Sequence, residues 1–308
     1  MGIFCSEEEA ALSGCALCPR GCGVNRLRGE RGFCGAGSAV RAARAAPHFW
    51  EEPCISGERG SGTVFFSHCV LGCRYCQNAG ISRGGGGFEV GEDELAGIFL
   101  SLEAKGAHNI NLVTPTHYAP QIAAAIRRAR GRGLLVPVVY NCGGYESVEG
   151  LRLLEGLVDV YLPDFKYWED RYAVRYSRAP RYREAAAAAV EEMFRQVGEP
   201  VFGEDGMMKK GVIVRHLMLP GALYDSKRIL DFLWKAYGNR IYISLMNQFT
   251  PMPGAQEFPE LQNPLEQRQY EAMVAYLQSL GMENVFIQEG GTVGESFIPS
   301  FDGEGIIR

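Results

Sequence analysis

From Gly60 onward, short apolar runs take turns with helical patterns. TVFF (63–66), NINLV (109–113), LLVPVVY (134–140), VDVYL (158–162), GVIVRHLML (211–219), RIYISLM (240–246) and NVFIQ (284–288) are continuous rather than alternating. That is the pattern of parallel strands covered on both faces. Between them lie EDELAGIFLSLEAKG, APQIAAAIRRARG, SVEGLRLLEG, SKRILDFLWKAYG and LEQRQYEAMVAYLQSLG. Several of these close on glycine, the usual C-terminal stop of a helix. The alternation predicts right-handed βαβ units on a parallel sheet. About six or seven units are too many for a small flavodoxin-like sheet and fall short of the eight-stranded barrel. We therefore expect an α/β fold, a partial (βα)6-type open TIM barrel.

Three stretches depart from this rhythm. Residues 1–57 show no alternation and read as a Cys-rich N-terminal segment; 58–290 read as the barrel and 291–308 as a C-terminal tail. An insertion at 167–210 holds YWEDRYAVRYSRAPRYR and the helix former EAAAAAVEEMFRQVG. It is expected to be a surface helix and loop packed on the barrel rather than a lid. GGGG at 84–87 lacks the context of a phosphate cradle and is expected to be a flexible loop.

Composition narrows the function. With 308 residues, 46% hydrophobic, the chain can bury a large core. A net charge of -5 and a pI of about 5.7 argue against an electrostatic nucleic-acid binder. No apolar run approaches bilayer length and no basic-then-apolar leader opens the chain. MGIFCS matches the short myristoylation pattern on Gly2, but the acidic EEE that follows suits a solvated terminus. A soluble, cytoplasmic protein with no membrane partner is expected.

Each predicted strand is followed by polar groups. His68 and Cys69 follow the first, Thr114, Thr116 and His117 the second, and Asn141 the third. Asp164 and Lys166 follow the fourth, and Arg215 and His216 lie on the fifth. Asn247 and Gln248 follow the sixth, and Gln288 and Glu289 the last. Strand ends of such barrels carry the active site, because the βα-loops open onto one face.

The chain has ten cysteines, and in a reducing compartment clustered cysteines bind metal or do chemistry. Cys69, Cys73 and Cys76, in SHCVLGCRYCQN, stand where the first strand ends. A structural zinc takes four ligands and a disulfide two. Three thiolates on one loop can instead ligate three irons of a [4Fe–4S] cube, leaving an open iron like the open position of a catalytic metal site. Cys15, Cys18, Cys22 and Cys34 make a second group. They supply the four thiolates of a closed site, either a structural Zn2+ or an auxiliary Fe–S cluster feeding electrons to the first. Spacing alone leaves both open. Cys5, Cys54 and Cys142 stand alone and are expected to be packed as small apolar residues, with a substitute metal ligand or a catalytic thiol as the alternatives for Cys54.

The C-x3-C-x2-C spacing at the end of a first barrel strand, with Tyr75 before the last cysteine, resembles the radical SAM superfamily. Together with CALCPRGCGVNRLRGERGFCG, EEPCISGERG, NINLVTPTHY, VDVYLPDFKY and RHLMLPG, it is similar to the pyruvate formate-lyase activating enzyme-related family. The resemblance implies reductive cleavage of S-adenosylmethionine (SAM) at a [4Fe–4S] cluster to give a 5′-deoxyadenosyl radical. It also implies an electron donor such as flavodoxin or ferredoxin, with a glycyl-radical enzyme as one partner. Modification of a peptide or small molecule, or non-catalytic metal delivery, are the alternatives. Carried over by position, the backbone of Tyr75 meets adenine, and Asp164 and Lys166 match an Asp-x-Lys that contacts SAM. The family's Gly-Gly-Glu after the second strand is absent. Thr114-Pro-Thr-His117 stands in its place, with Thr116 the candidate for the SAM ammonium. Thr114 and Asn141 complete the cofactor-binding set, and Arg215 is the reserve for the SAM carboxylate.

Overall fold

The computed structural model describes residues 6–288 and 299–306. Gly2, Cys5, Glu289 and residues 291–298 of the expected tail lie outside the described residues. The strands are β1 (Val40–His48), β2 (Ser61–Phe66), β3 (Phe88–Val90), β4 (Ile110–Val113) and β5 (Val138–Cys142). They continue as β6 (Val160–Pro163), β7 (Val201–Phe202), β8 (Met208–Leu217), β9 (Tyr242–Met246) and β10 (Val285–Ile287). They join one sheet in the order β10-β9-β8-β6-β5-β4-β2-β1-β3, with β7 paired to β8 outside that path. β2, β4, β5, β6, β8, β9 and β10 pair parallel throughout. Every residue of β2, β4 and β6 is buried, as continuous apolar runs require. The sheet is thus an open, partial α/β barrel, and each expected strand core lies in it.

The N-terminal segment is not separate from the barrel. β1 runs antiparallel to β2 and to β3 and extends the sheet. Its sequence, VRAARAAPH, has alanine at four of its nine positions, a residue depleted in strands, so its apolar pattern is faint. Val40, Ala42, Ala43, Ala45 and Ala46 are buried. Beyond the short β3, the tail continues the edge: Gly303 N–H donates to Ala43 O at 3.0 Å and Ala45 N–H to Glu304 O at 2.8 Å. This covers backbone that an open edge would leave unpaired.

The stretch at 167–210 is likewise part of the βα rhythm. Helix Tyr182–Val197 buries Tyr182, Ala186, Ala189, Val190 and Met193 and packs on β6 and β8, the two strands it links. It is the crossover helix of that unit. The shorter helix Asp170–Ser177 ends against the three-cysteine loop, where Gly72 N–H donates to Ser177 O at 3.0 Å and Arg74 N–H to Tyr176 O at 2.8 Å. The glycine run at 84–87 is packed rather than free. Gly87, at φ +84°, lies so close that a Cβ there would stand 2.6 Å from Ala42 O and from Ser67 Oγ.

Candidate active site at the strand ends

A cavity of about 410 Å³ opens at the C-terminal ends of the parallel strands. Cys69, Cys73 and Cys76 line it together with Tyr75, Thr114, Thr116, Asn141, Asp164, Lys166 and Arg215. Strand ends from β2, β4, β5, β6 and β8 therefore deliver the predicted residues to one space. Two non-glycine residues here sit in the left-handed region: His68 (φ 73°) beyond β2 and Thr114 (φ 60°) beyond β4. Such backbone costs of order 1–3 kcal/mol and is held only by surrounding structure.

Each of the three sulfurs has a polar neighbour. Leu71 N–H donates to Cys69 Sγ at 3.3 Å, Ser177 Oγ donates to Cys73 Sγ at 2.9 Å, and Ser82 Oγ lies 3.5 Å from Cys76 Sγ. Ser177 Oγ also meets Tyr167 Oη, which meets Tyr75 Oη, both at 2.6 Å. The shorter helix thus anchors the loop through buried hydroxyls. Burial pushes the Cys69 and Cys73 thiols up, while the Lys166 charge pulls both down. Such thiols ionise when cations bind them, which suits iron ligation. Among the described residues, no three His, Cys, Asp or Glu side chains converge on a single ion position. A cube needs no such convergence, because each cysteine takes a different iron. The donor set fits a three-cysteine [4Fe–4S] cluster.

Lys166 Nζ donates to Asp164 Oδ2 at 2.5 Å, with both side chains largely buried. Burial opposes the lysine's charge, but Asp164 and Cys73 outweigh it and hold its pKa well above the ordinary value. Lys166 therefore carries its charge in the cavity rather than pointing to solvent.

Other predicted residues are already engaged. Thr116 Oγ1 donates to Glu146 Oε1 at 2.9 Å, so the hydroxyl expected to meet the SAM ammonium is committed elsewhere. Arg215 is not a free carboxylate binder. Its Nε donates to Glu52 Oε1 at 2.8 Å, its Nη2 to Glu52 Oε2 at 2.6 Å, and its Nη2 also to Glu51 Oε2. Asn141 Nδ2 lies 3.5 Å from Glu51 Oε1, and Asn111 Nδ2 donates to the same oxygen at 2.9 Å. His117 and His216 are core residues: burial pushes them down to about 3 and about 4, and they bond the carbonyls of Ser67 and Phe165. Cys54 packs among Ile55, Val139 and Ile213, where burial raises its thiol to about 12. Cys142 is buried in the cavity wall.

Three carboxylates to which the sequence pattern assigned no role join the site. Glu51 and Glu52 line the cavity, and with Asp164 they set three negative charges against Lys166 and Arg215, a net of -1. Glu146 lies beneath the rim, accepting from Thr116 Oγ1 and from Tyr140 Oη at 3.2 Å, and burial pushes it up to about 7. One signal was legible: Arg215 interrupts the apolar run GVIVRHLML, and a buried arginine requires an acidic partner.

No family model matches this chain. An uncharacterized protein of Methanocaldococcus jannaschii, MJ0674, is 27% identical over 284 residues, covering 88% of this chain and 76% of that protein. Among solved structures, the FeFe-hydrogenase maturase HydG from Carboxydothermus hydrogenoformans aligns with a TM-score of 0.51 at 14% identity, over 74% of this chain and 53% of HydG. Streptococcus suis SuiB bound to precursor peptide SuiA aligns at 0.49 and 11%, over 70% of this chain and 46% of SuiB. Coproporphyrinogen III oxidase (HemN) from Escherichia coli, a radical SAM enzyme, aligns at 0.44 and 10%, over 61% and 45%. The chain spans about half the length of these solved structures. The likeness to HydG carries the fold, a partial α/β barrel.

Proposed function

We propose that this chain is a radical SAM enzyme. The observation that supports the reading best is one cavity at parallel strand ends shared by Cys69, Cys73, Cys76, Asp164 and Lys166. A [4Fe–4S] cluster bound by the three cysteines supplies, with SAM, one-electron cleavage to a 5′-deoxyadenosyl radical. The chain's own residues hold and orient. Leu71 N–H and Ser177 Oγ donate to the sulfurs and fix their direction, as outer hydrogen bonds do at metal sites. Lys166 offers a buried cation to the SAM carboxylate, and Asp164 holds that ammonium in place while presenting a carboxylate to a hydroxyl or ammonium. The surplus negative charge from Glu51 and Glu52 favours a cationic ligand such as SAM.

Within this chemistry, activation of a glycyl-radical enzyme is the reading favoured by the sequence resemblance, with a flavodoxin- or ferredoxin-type electron donor in the cytoplasm. Trp50 and Ile287 line the cavity yet are exposed, an apolar lip suited to a polypeptide substrate. A carrier of metal would not need the Asp164–Lys166 pair in the same space. Anaerobically reconstituted protein should cleave SAM to 5′-deoxyadenosine and methionine under dithionite. Changing Cys69, Cys73 and Cys76 together to Ala should abolish that activity; a triple variant that still cleaves SAM would overturn the assignment.

A further inference from the structure

The remaining four clustered cysteines lie outside the cavity, gathered by tight backbone turns. Cys15 N–H donates to Val24 O and Gly23 N–H to Cys15 O, at 3.0 and 2.9 Å, closing a loop that carries Cys18 and Cys22. Gly21 and Gly23 take positive φ in that loop, and Gly35 does so beside Cys34. Across that loop Cys22 Sγ lies 3.8 Å from Cys15 O. Gly32 completes the pocket, since a Cβ there would stand 2.5 Å from Cys22 Sγ.

Two arginines flank these thiols with no carboxylate paired to either among the described residues. Arg26 is 1% exposed. Its Nε donates to Gly37 O at 2.9 Å, its Nη1 to His117 O at 2.5 Å and its Nη2 to Gly37 O, and its charge acts on Cys34. Arg20 donates to Val70 O at 2.7 Å and to Arg178 O at 2.8 Å, its guanidinium 3.3 Å above the Phe33 ring. A cation as buried as Arg26, without an anion, is costly. A thiolate-bound metal centre would carry the compensating negative charge.

We propose that Cys15, Cys18, Cys22 and Cys34 bind a second iron–sulfur cluster. A single zinc requires its sulfurs to meet at one point, and no three such side chains do so among the described residues. A cube that gives each thiolate its own iron does not require it. Arg20 links the two sites. It lies between Cys18 and Cys22 in sequence, feels Cys18, Cys34 and Cys69, and holds the Val70 carbonyl inside the three-cysteine loop. The inference borrows from the proposed function only that the first cluster belongs to Cys69, Cys73 and Cys76.

The test is metal analysis of full-length protein reconstituted anaerobically with ferrous iron and sulfide. Wild type should hold about eight irons and eight sulfides, and the Cys69/Cys73/Cys76→Ala variant about four of each, as expected of two cubes. Cys18→Ala with Cys34→Ala in the wild-type background should also fall to about four irons while still cleaving SAM. Should the first variant fail to fold, this second one decides alone. One zinc, or no metal, in the folded three-cysteine variant overturns the second cluster and leaves the function standing. Full iron in that variant, equal to wild type, overturns the catalytic assignment instead.

Discussion

Cys69, Cys73 and Cys76 hang from the end of a buried parallel strand and face a cavity, whereas Cys15, Cys18, Cys22 and Cys34 sit in glycine turns closed by backbone hydrogen bonds. The first group shares its space with a charged rim: Asp164, Lys166, Arg215, Glu51 and Glu52. Beside the second lie Arg20 and Arg26, each held by carbonyls, and Glu146 acts on Cys18. A site meant to receive a ligand keeps an opening and mixed charges around it. The second group instead lies in tight turns, with Arg26 fully buried beside it and Cys22 exposed. The proposed catalytic and closed thiolate sites thus differ in what lies around the sulfurs.

The largest expected effect tests the charged rim. Arg215→Ala would leave Glu51 and Glu52 buried without their cation, which costs about 3–5 kcal/mol when one partner of a buried ion pair is removed. Urea unfolding should show that loss. A change below about 1 kcal/mol would mean the carboxylates find water or protons in place of the arginine.

Glu146 bonds Thr116 at the cavity rim and Tyr140 beneath it, and acts electrostatically on Cys18. Its folded pKa of about 7 lies above the ordinary 4.5 because burial disfavours the carboxylate. Between those values the folded state binds more protons than the unfolded, so this group's contribution worsens as pH rises. The penalty is absent below about pH 4.5 and complete above about pH 7, amounting to about 3 kcal/mol. Glu146→Gln should flatten that part of the stability profile, read as the difference from wild type in urea unfolding at pH 5 and pH 8. An unchanged slope would show that Glu146 is ionised at its ordinary pKa.

A smaller effect is expected on binding. Lys166→Ala and Asp164→Ala each remove a charge-assisted contact worth roughly 1.5–3 kcal/mol, which weakens SAM binding on the order of 10- to 100-fold. Iron content and visible absorption should stay at wild type, because neither side chain is a sulfur ligand. Titration of the reduced cluster with SAM, followed by electron paramagnetic resonance, measures this. Wild-type affinity in both variants would leave the pair a structural feature of the rim.

The parallel strands were legible because burial on both faces imposes continuous apolar runs such as TVFF and VDVYL, which no loop needs. The strand VRAARAAPH was not, since alanine carries little strand signal and its partners lie at 61–66 and 88–90. Within the site, Cys69, Cys73, Cys76, Asp164 and Lys166 announced themselves by spacing and by position at strand ends. Glu146 belongs to no motif, and Glu51, although it opens EEPCISGERG, had no role assigned by spacing. Glu51 acts through Arg215, 164 residues away, and Glu146 through Thr116, 30 residues away, so only the folded chain joins them. The same holds for Thr116: its place at the rim was readable, but its hydrogen-bond partner was not.

The smallest perturbation separates packing from ligation at the closed group. Gly32 has no positive φ to protect, so Gly32→Ala brings no backbone strain. Its new methyl would arrive 2.5 Å from Cys22 Sγ, which is the free end of a short side chain and can rotate away. Stability should therefore change by less than about 1 kcal/mol, as for a tolerated small substitution. A rotated Cys22 no longer points where a ligand must, and outer constraints on ligand direction are worth 10- to 100-fold in metal affinity. Iron should fall toward about four per chain while SAM cleavage by the three-cysteine site persists. Unchanged iron in this variant would show that Cys22 is packed beside the second site rather than bound into it.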